Sequence, residues 1–223
     1  MCGRFGLFNP GSFRANFGTL NEPPQFELSY NIAPGAIVPV VTRHSPNTAA
    51  LMKWGLVPFW AKDPRIGFKM INARTEGIEA KPAFRKPICS QRCLVPANGF
   101  YKWQKLKLEG KPERVPFFIR LKERAVFAFA GLSDVWKDAE DHEMRTFTII
   151  TTTPNELMAD IHDRMPVILR KEDEDHWLDE ATALASVLSL LKPYPAGEMA
   201  ANPVSSLVNS PRNDSAELVA PRT

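Results

Sequence analysis

The second residue of the sequence is a cysteine, in the opening run Met1-Cys2-Gly3-Arg4-Phe5. Removal of Met1 would leave Cys2 with a free α-amine beside its thiol. Such a 1,2-aminothiol does what no internal cysteine can. Its amine condenses with an aldehyde to give an imine, and its thiol closes on the imine carbon to form a thiazolidine ring. The α-amine titrates at about 7.7 and the thiol at about 8.5, so both nucleophiles are partly available at neutral pH. Taken alone, a cysteine after the initiator is as readily an accident of the start of the chain.

Other segments carry residues suited to a reaction of this kind. Ile71-Asn72-Ala73-Arg74 puts an amide and a guanidinium two residues apart, on one face of an extended segment. Asn72 can hydrogen-bond a sugar or aldehyde oxygen, and Arg74 can fork onto a phosphate. His162, in Ile161-His162-Asp163-Arg164-Met165-Pro166, is the best general acid/base in the chain, because imidazole titrates near working pH. Asp163 and Arg164 flank it, but sequence neighbours seldom face each other, so no His–Asp relay is expected. Trp54 and Trp60 bracket a Gly/Pro-kinked segment that is either a core plug or a platform on which an unpaired base stacks. Asn31-Ile32-Ala33-Pro34 sets an amide ahead of a rigid turn. Each of these residues has an ordinary structural role as its alternative.

The elements that must position these groups are short. The 20 prolines break the chain often, and no repeat or low-complexity block is apparent. Runs at 37–42, 117–121, 126–130 and 147–152 are β-branched or aromatic and bounded by turn residues, so they read as strands. Helical spacing appears at 12–17, 155–161 and 182–191, with Pro154 placed in the first turn of the second. Helices scattered among short strands, without regular βα alternation, predict a compact α+β domain with a bent, barrel-like mixed sheet and flanking helices.

Composition narrows the partners. At 223 residues and 44% hydrophobic, the chain can bury a sizeable core. Its net charge of +3 is unevenly spread: residues 81–125 hold twelve Lys/Arg against three Asp/Glu, while 171–180 is acidic. The basic stretch is a solvated face or a surface for a polyanion. Three cysteines, no signal peptide and no long apolar run lead us to expect a cytoplasmic protein with neither disulfides nor a membrane span. Cys89 and Cys93 lack a second pair and the four histidines are scattered, so no metal site is expected, and both thiols are read as buried and structural.

The segments MCGRF, NIAP, WGLVPFWA, INARTE, KPAFR, RCLVPANGFYKW, FAFAGL, TIITTTPNELM, IHDRMPVIL and VSSLVNSP occur in this order. Together they resemble the SOS response-associated peptidase family, the abasic-site processing proteins. The resemblance covers residues 2–218 as one domain and leaves 219–223 as a tail. It implies loss of Met1 by self-processing or by an aminopeptidase, then crosslinking of Cys2 to the ring-opened aldehyde of an abasic site in single-stranded DNA. The thiazolidine so formed shields the lesion, and the family also suggests lyase chemistry. By motif, Asn72 would sense the abasic sugar and His162 would assist proton transfer. Arg4, Arg74, Arg85 and Arg164 would clasp phosphates, and Asn31, Pro34, Trp54 and Trp60 would line the DNA path. A monomer that needs no metal or organic cofactor is expected, associated with the nucleoid if bacterial.

One position departs from that pattern. Relatives usually read Gly-Phe-Tyr-Glu-Trp where this chain reads Gly99-Phe100-Tyr101-Lys102-Trp103. The family carboxylate is tied to imine formation and crosslink reversal, so Lys102 is expected to alter the rate or reversal of crosslinking. Alternatively, Lys102 is a laboratory substitution that probes this role, or a nearby carboxylate such as Glu76 takes over. Two other readings stay open: an N-terminal-nucleophile peptidase or amidohydrolase, and a single-strand binding module in which Cys2 is incidental.

Overall fold

Two sheets share the chain, and one of them closes on itself. The structure, a computed structural model, describes residues 2–43, 47–108 and 111–222. The first sheet joins β1 (Phe5–Leu7), β2 (Ser29–Ile32), β7 (Gly99–Leu108), β8 (Lys111–Leu121) and β12 (Met199–Pro203) in the order β12-β8-β7-β1-β2. The second contains β3 (Ile37–Arg43), β4 (Asn47–Trp54), β6 (Arg92–Ala97), β9 (Phe127–Lys137), β10 (Glu143–Thr152) and β11 (Met165–Pro166), in the order β11-β10-β4-β3-β6-β9. Because β9 also pairs with β10, the strands β10, β4, β3, β6 and β9 form a closed five-stranded barrel. Only the β4–β10 seam of that barrel is parallel. The fold is α+β, and the barrel-like sheet expected from the sequence is a closed one.

Strand alternation divides the core in two. One face of the barrel strands sends Val40, Val95, Phe129, Phe147 and Ile149 into a cluster with Phe5, Phe100 and Ile119 of the first sheet. The other sends Val41, Leu94, Ala128, Ala130 and Ile150 toward the helices, where they meet Phe13, Phe17, Trp177 and Val187. Cys2 belongs to the first cluster and is fully buried.

Helices are shorter than the sequence predicts. The first, α1 (Phe13–Phe17), is capped by Ser12, whose hydroxyl accepts from Ala15 N at 3.3 Å. A second short helix is α2 (Pro87–Ser90). The third, α3 (Glu156–Ala159), is capped by Asn155, whose Oδ1 accepts from Met158 N at 2.9 Å. Pro154 therefore precedes the helix rather than occupying its first turn. The acidic stretch builds α4 (Glu174–Leu178), and the last run shrinks to α5 (Leu184–Ser189). None of the described helices is long and apolar enough to cross a membrane.

Strand β10 organises the functional end of the molecule. Besides β9 and β4 it pairs in parallel with β5 (Asn72–Arg74), placing Ile149 beside Asn72 and Thr151 beside Arg74. Its end pairs with β11, Thr151 opposite Pro166 and Thr152 opposite Met165. One strand thus fixes both the Asn72 segment and the segment leading out of His162.

Gly99, at the start of β7, lies hard against β8. A Cβ there would sit 2.2 Å from Phe118 Cζ and 2.7 Å from Ile119 O, far inside contact. Gly99→Ala is expected to cost about 1–3 kcal/mol through forced displacement of a packed strand. Urea denaturation measures it, and an unchanged midpoint would mean that this seam yields freely.

Candidate active site around Cys2

The first residues of a chain fray unless something ties them down. Here strand pairing does part of the work: Phe5 pairs with Ile32 on one side and Phe100 on the other. Upstream of β1, Asn72 takes over. Its Oδ1 accepts from the main-chain N of Cys2 at 2.6 Å, and its Nδ2 donates to Cys2 O, also at 2.6 Å. Both main-chain polar groups of the residue are held by one side chain from another strand. Trp54 braces that strand in turn, its indole N–H donating to Ile71 O at 2.9 Å.

Lys102 completes the interior of the site. The β1–β7 register, Phe5 opposite Phe100, runs back to bring Lys102 alongside the Cys2-Gly3 stretch. Lys102 shares its strand face with Phe100 and is 1% exposed. Burial pushes the Cys2 thiol above its ordinary pKa, and the Lys102 charge and the Arg4 backbone N–H partly oppose this. Burial likewise lowers Lys102, against the pull of Cys2.

His162 stands at the more open side, just past α3. Its pKa falls to about 4, chiefly through burial and secondarily through the charge of Lys102, so it is neutral at pH 7. Asp163 Oδ1 lies 2.6 Å from His162 Nδ1. This corrects the expectation that the neighbours would not meet. The rule against adjacent partners belongs to regular helix and strand, and these residues lie in neither. Arg164 N also lies 3.1 Å from the same Nδ1. That amide donates to Nδ1, so the loop holds the ring by its Nδ1 edge, with the Asp163 carboxylate beside it.

Several residues expected along a DNA path are spent inside the protein. Trp54 is 1% exposed, packed edge-on to Phe5 and stacked on Phe147, which withdraws it as a base platform. The buried Asn31 donates to Ser210 O and Asn213 O and accepts from Arg4 Nη1 at 2.8 Å. Arg4 Nη1 also reaches Val208 O, so these two residues tie the N-terminal strands to a late segment of the chain. Arg164 forks onto Glu76 and bonds Thr151 O, so its guanidinium already holds an anion. The same pairing occupies Glu76, which argues against the expectation that this carboxylate takes over a role beside Lys102.

Other candidates remain at the surface. Arg74 and Arg85 are exposed, and Lys81 bridges them, its Nζ donating to Arg74 O and its own carbonyl accepting from Arg85 N. Pro34 sits at the second position of a turn closed by Ala36 N to Ala33 O, with Gly35 at φ +91°, a type II turn that requires glycine there. Trp60 is 49% exposed on a turn closed by Ala61 N to Pro58 O. Beside these the structure displays aromatics that sequence reading passed over: Phe59, with Lys86 4.6 Å above its ring, and Phe68, 66% exposed. Each directly follows a chain-breaking residue, Pro58 or Gly67, which was the signal available in the sequence. Cys89 is exposed rather than buried, while Cys93 is buried as expected.

Comparison with known proteins agrees in one direction. A family model described as SOS response associated peptidase (SRAP) matches residues 1–211. The abasic site processing protein YoqW of Bacillus subtilis (strain 168) is 48% identical over 224 residues, covering 98% of this chain and 99% of its own length. The abasic site processing protein HMCES of Rattus norvegicus is 30% identical, covering 90% of this chain and 67% of its own. A crystal structure of a protein from Bacteroides thetaiotaomicron superimposes with a TM-score of 0.86 at 30% identity, covering 98% of this chain and all of that one.

The depressed His162 titration has a measurable consequence. Between pH 6.5 and about 4 the unfolded chain binds a proton at this residue that the folded chain does not. Stability therefore rises with pH across that window and is lost as pH falls through it. Urea unfolding across the window is expected to show a shallower slope in His162→Gln, and an identical slope would assign the titration to another group.

Proposed function

The chain belongs to the SOS response-associated peptidase family, and from that premise we propose that it processes abasic sites in single-stranded DNA. After Met1 is lost, the Cys2 amine attacks the C1′ aldehyde of the ring-opened deoxyribose and expels water as an imine. The Cys2 thiol then adds across the C=N bond, sulfur to carbon and proton to nitrogen, closing a thiazolidine. Met1 lies outside the described residues, and its removal, by self-processing or by another enzyme, is part of this proposal.

The observation that carries the reading is the pair of hydrogen bonds from Asn72 to the main chain of Cys2. A buried terminal residue held by both polar groups is oriented for reaction; a cysteine of no consequence needs no such hold. Orientation of this kind is worth orders of magnitude in rate. His162, neutral at pH 7, exchanges protons with the thiol and the carbinolamine. The exposed Phe59, Trp60 and Phe68, with the half-buried Pro34, offer stacking surface, and Arg74, Lys81 and Arg85 offer phosphate partners. Lesion shielding, lyase chemistry, action as a monomer and a nucleoid setting belong to the same proposal. The chemistry uses only groups of the chain and asks for no cofactor.

Denaturing electrophoresis of the Met1-processed protein with abasic single-stranded DNA tests this reading. A heat-stable shifted band is expected from the native sequence and none from Cys2→Ala. Asn72→Ala should slow band formation about tenfold or more while leaving salt-sensitive DNA binding intact. Binding without any covalent band would favour the non-covalent module, and cleavage of peptides other than Met1 would favour the amidohydrolase.

A further inference from the structure

Lys102 is a lysine in the wrong place for a solvated surface charge. It is 1% exposed, faces the same cluster as Cys2, and lies within electrostatic reach of both Cys2 and His162. Taking an ammonium out of water is expensive, and burial favours the uncharged amine. An uncharged lysine amine in a dry site is a nucleophile for carbonyl carbon. The position that a family carboxylate usually fills therefore holds, in this chain, a group capable of chemistry no carboxylate can perform.

We propose that Lys102 is a second aldehyde-capturing amine, which forms an imine with C1′ before the Cys2 amine does. This rests on the abasic-DNA reading for the source of the aldehyde and on the aminothiol reading for the hand-over to Cys2. The Nζ lone pair attacks C1′, the carbonyl oxygen gains protons and leaves as water, and a C1′=N bond remains. The Cys2 amine then adds to C1′ and expels the Lys102 amine, which regains two hydrogens as the Cys2 nitrogen loses its own two and becomes the imine nitrogen. Closure by the Cys2 thiol follows, so Lys102 is returned unchanged. No electrons are gained or lost in the sequence. The neutral His162 imidazole relays the protons that pass between the two amines. The direction of the burial effect on Lys102 supports the scheme, because the amine must be uncharged when the aldehyde arrives.

Hydride trapping separates this from a purely electrostatic Lys102. Full-length Cys2→Ala is mixed with a single-stranded oligonucleotide, its one uracil converted to an abasic site by uracil-DNA glycosylase, in sodium cyanoborohydride. Reduction of the imine should give a covalent band that peptide mapping places on Lys102. That adduct should be lost in Cys2→Ala/Lys102→Met, and equally with Lys102→Arg, which keeps the charge but cannot condense. Thermal unfolding of each variant verifies that the fold is retained, and the Arg variant serves if the Met variant unfolds. An adduct confined to the terminal amine, or undiminished in both variants, would overturn the proposal. The native sequence without reductant is run alongside. A thiazolidine band there with no Lys102 adduct sinks the second amine alone. A Lys102 adduct with no thiazolidine band sinks the aminothiol reading alone.

Discussion

A terminal residue is attached to its protein on one side only, and a reaction centre built on it must replace the missing tether. The aldehyde chemistry proposed for Cys2 needs two atoms of that residue at defined positions, and backbone entropy works against both. The replacement comes from three directions: Phe5 pairs with strands on each side, Arg4 reaches Val208 O, and Asn72 holds the main chain of Cys2 itself. Asn72 can do this only because β5 lies along β10, and β10 is also the strand that closes the barrel. The rigidity of the barrel is thereby conferred on the loosest part of the chain.

Charge is distributed by the same logic. A basic stretch of sequence looks like one surface, but its members go to different places. Arg92 is buried and donates to the carbonyls of Ile88, Cys89, Trp177 and Asp179, and Arg124 pairs with the buried Glu174. These guanidiniums hold the helical side of the barrel together, and part of the acidic run that seemed their opposite is their partner. Lys102 is buried at the other side of the barrel wall. Next to the Asn72 segment, the cations that face a polyanion are the exposed Arg74, Arg85 and Lys86, with Lys81 among them.

How much of this was legible in the sequence depends on the range of the interaction. Ser12 and Asn155 cap helices where their residue types predict, and Asn72 and Arg74 fall on one side of a strand with Ala73 buried on the other, because both features are local. Barrel closure was not legible, since alternation tells which side chains are covered but not which strand covers them. Trp54 and Trp60 make the point within one motif. They are the same residue type six positions apart, yet one fills the core and the other faces solvent, and only the distant Phe5, Ile71 and Phe147 decide which. Arg164 and Glu76 likewise read as separate functional candidates until the fold brings them into one ion pair.

The hydrogen bonds linking Arg4 and Asn31 to the segment around Val208, Ser210 and Asn213 span almost the whole chain. A ribosome makes Arg4 and Asn31 long before it makes Val208, Ser210 and Asn213. The last ties on the N-terminal strands therefore come from residues that follow every strand of both sheets, so the segment made early waits for partners made late.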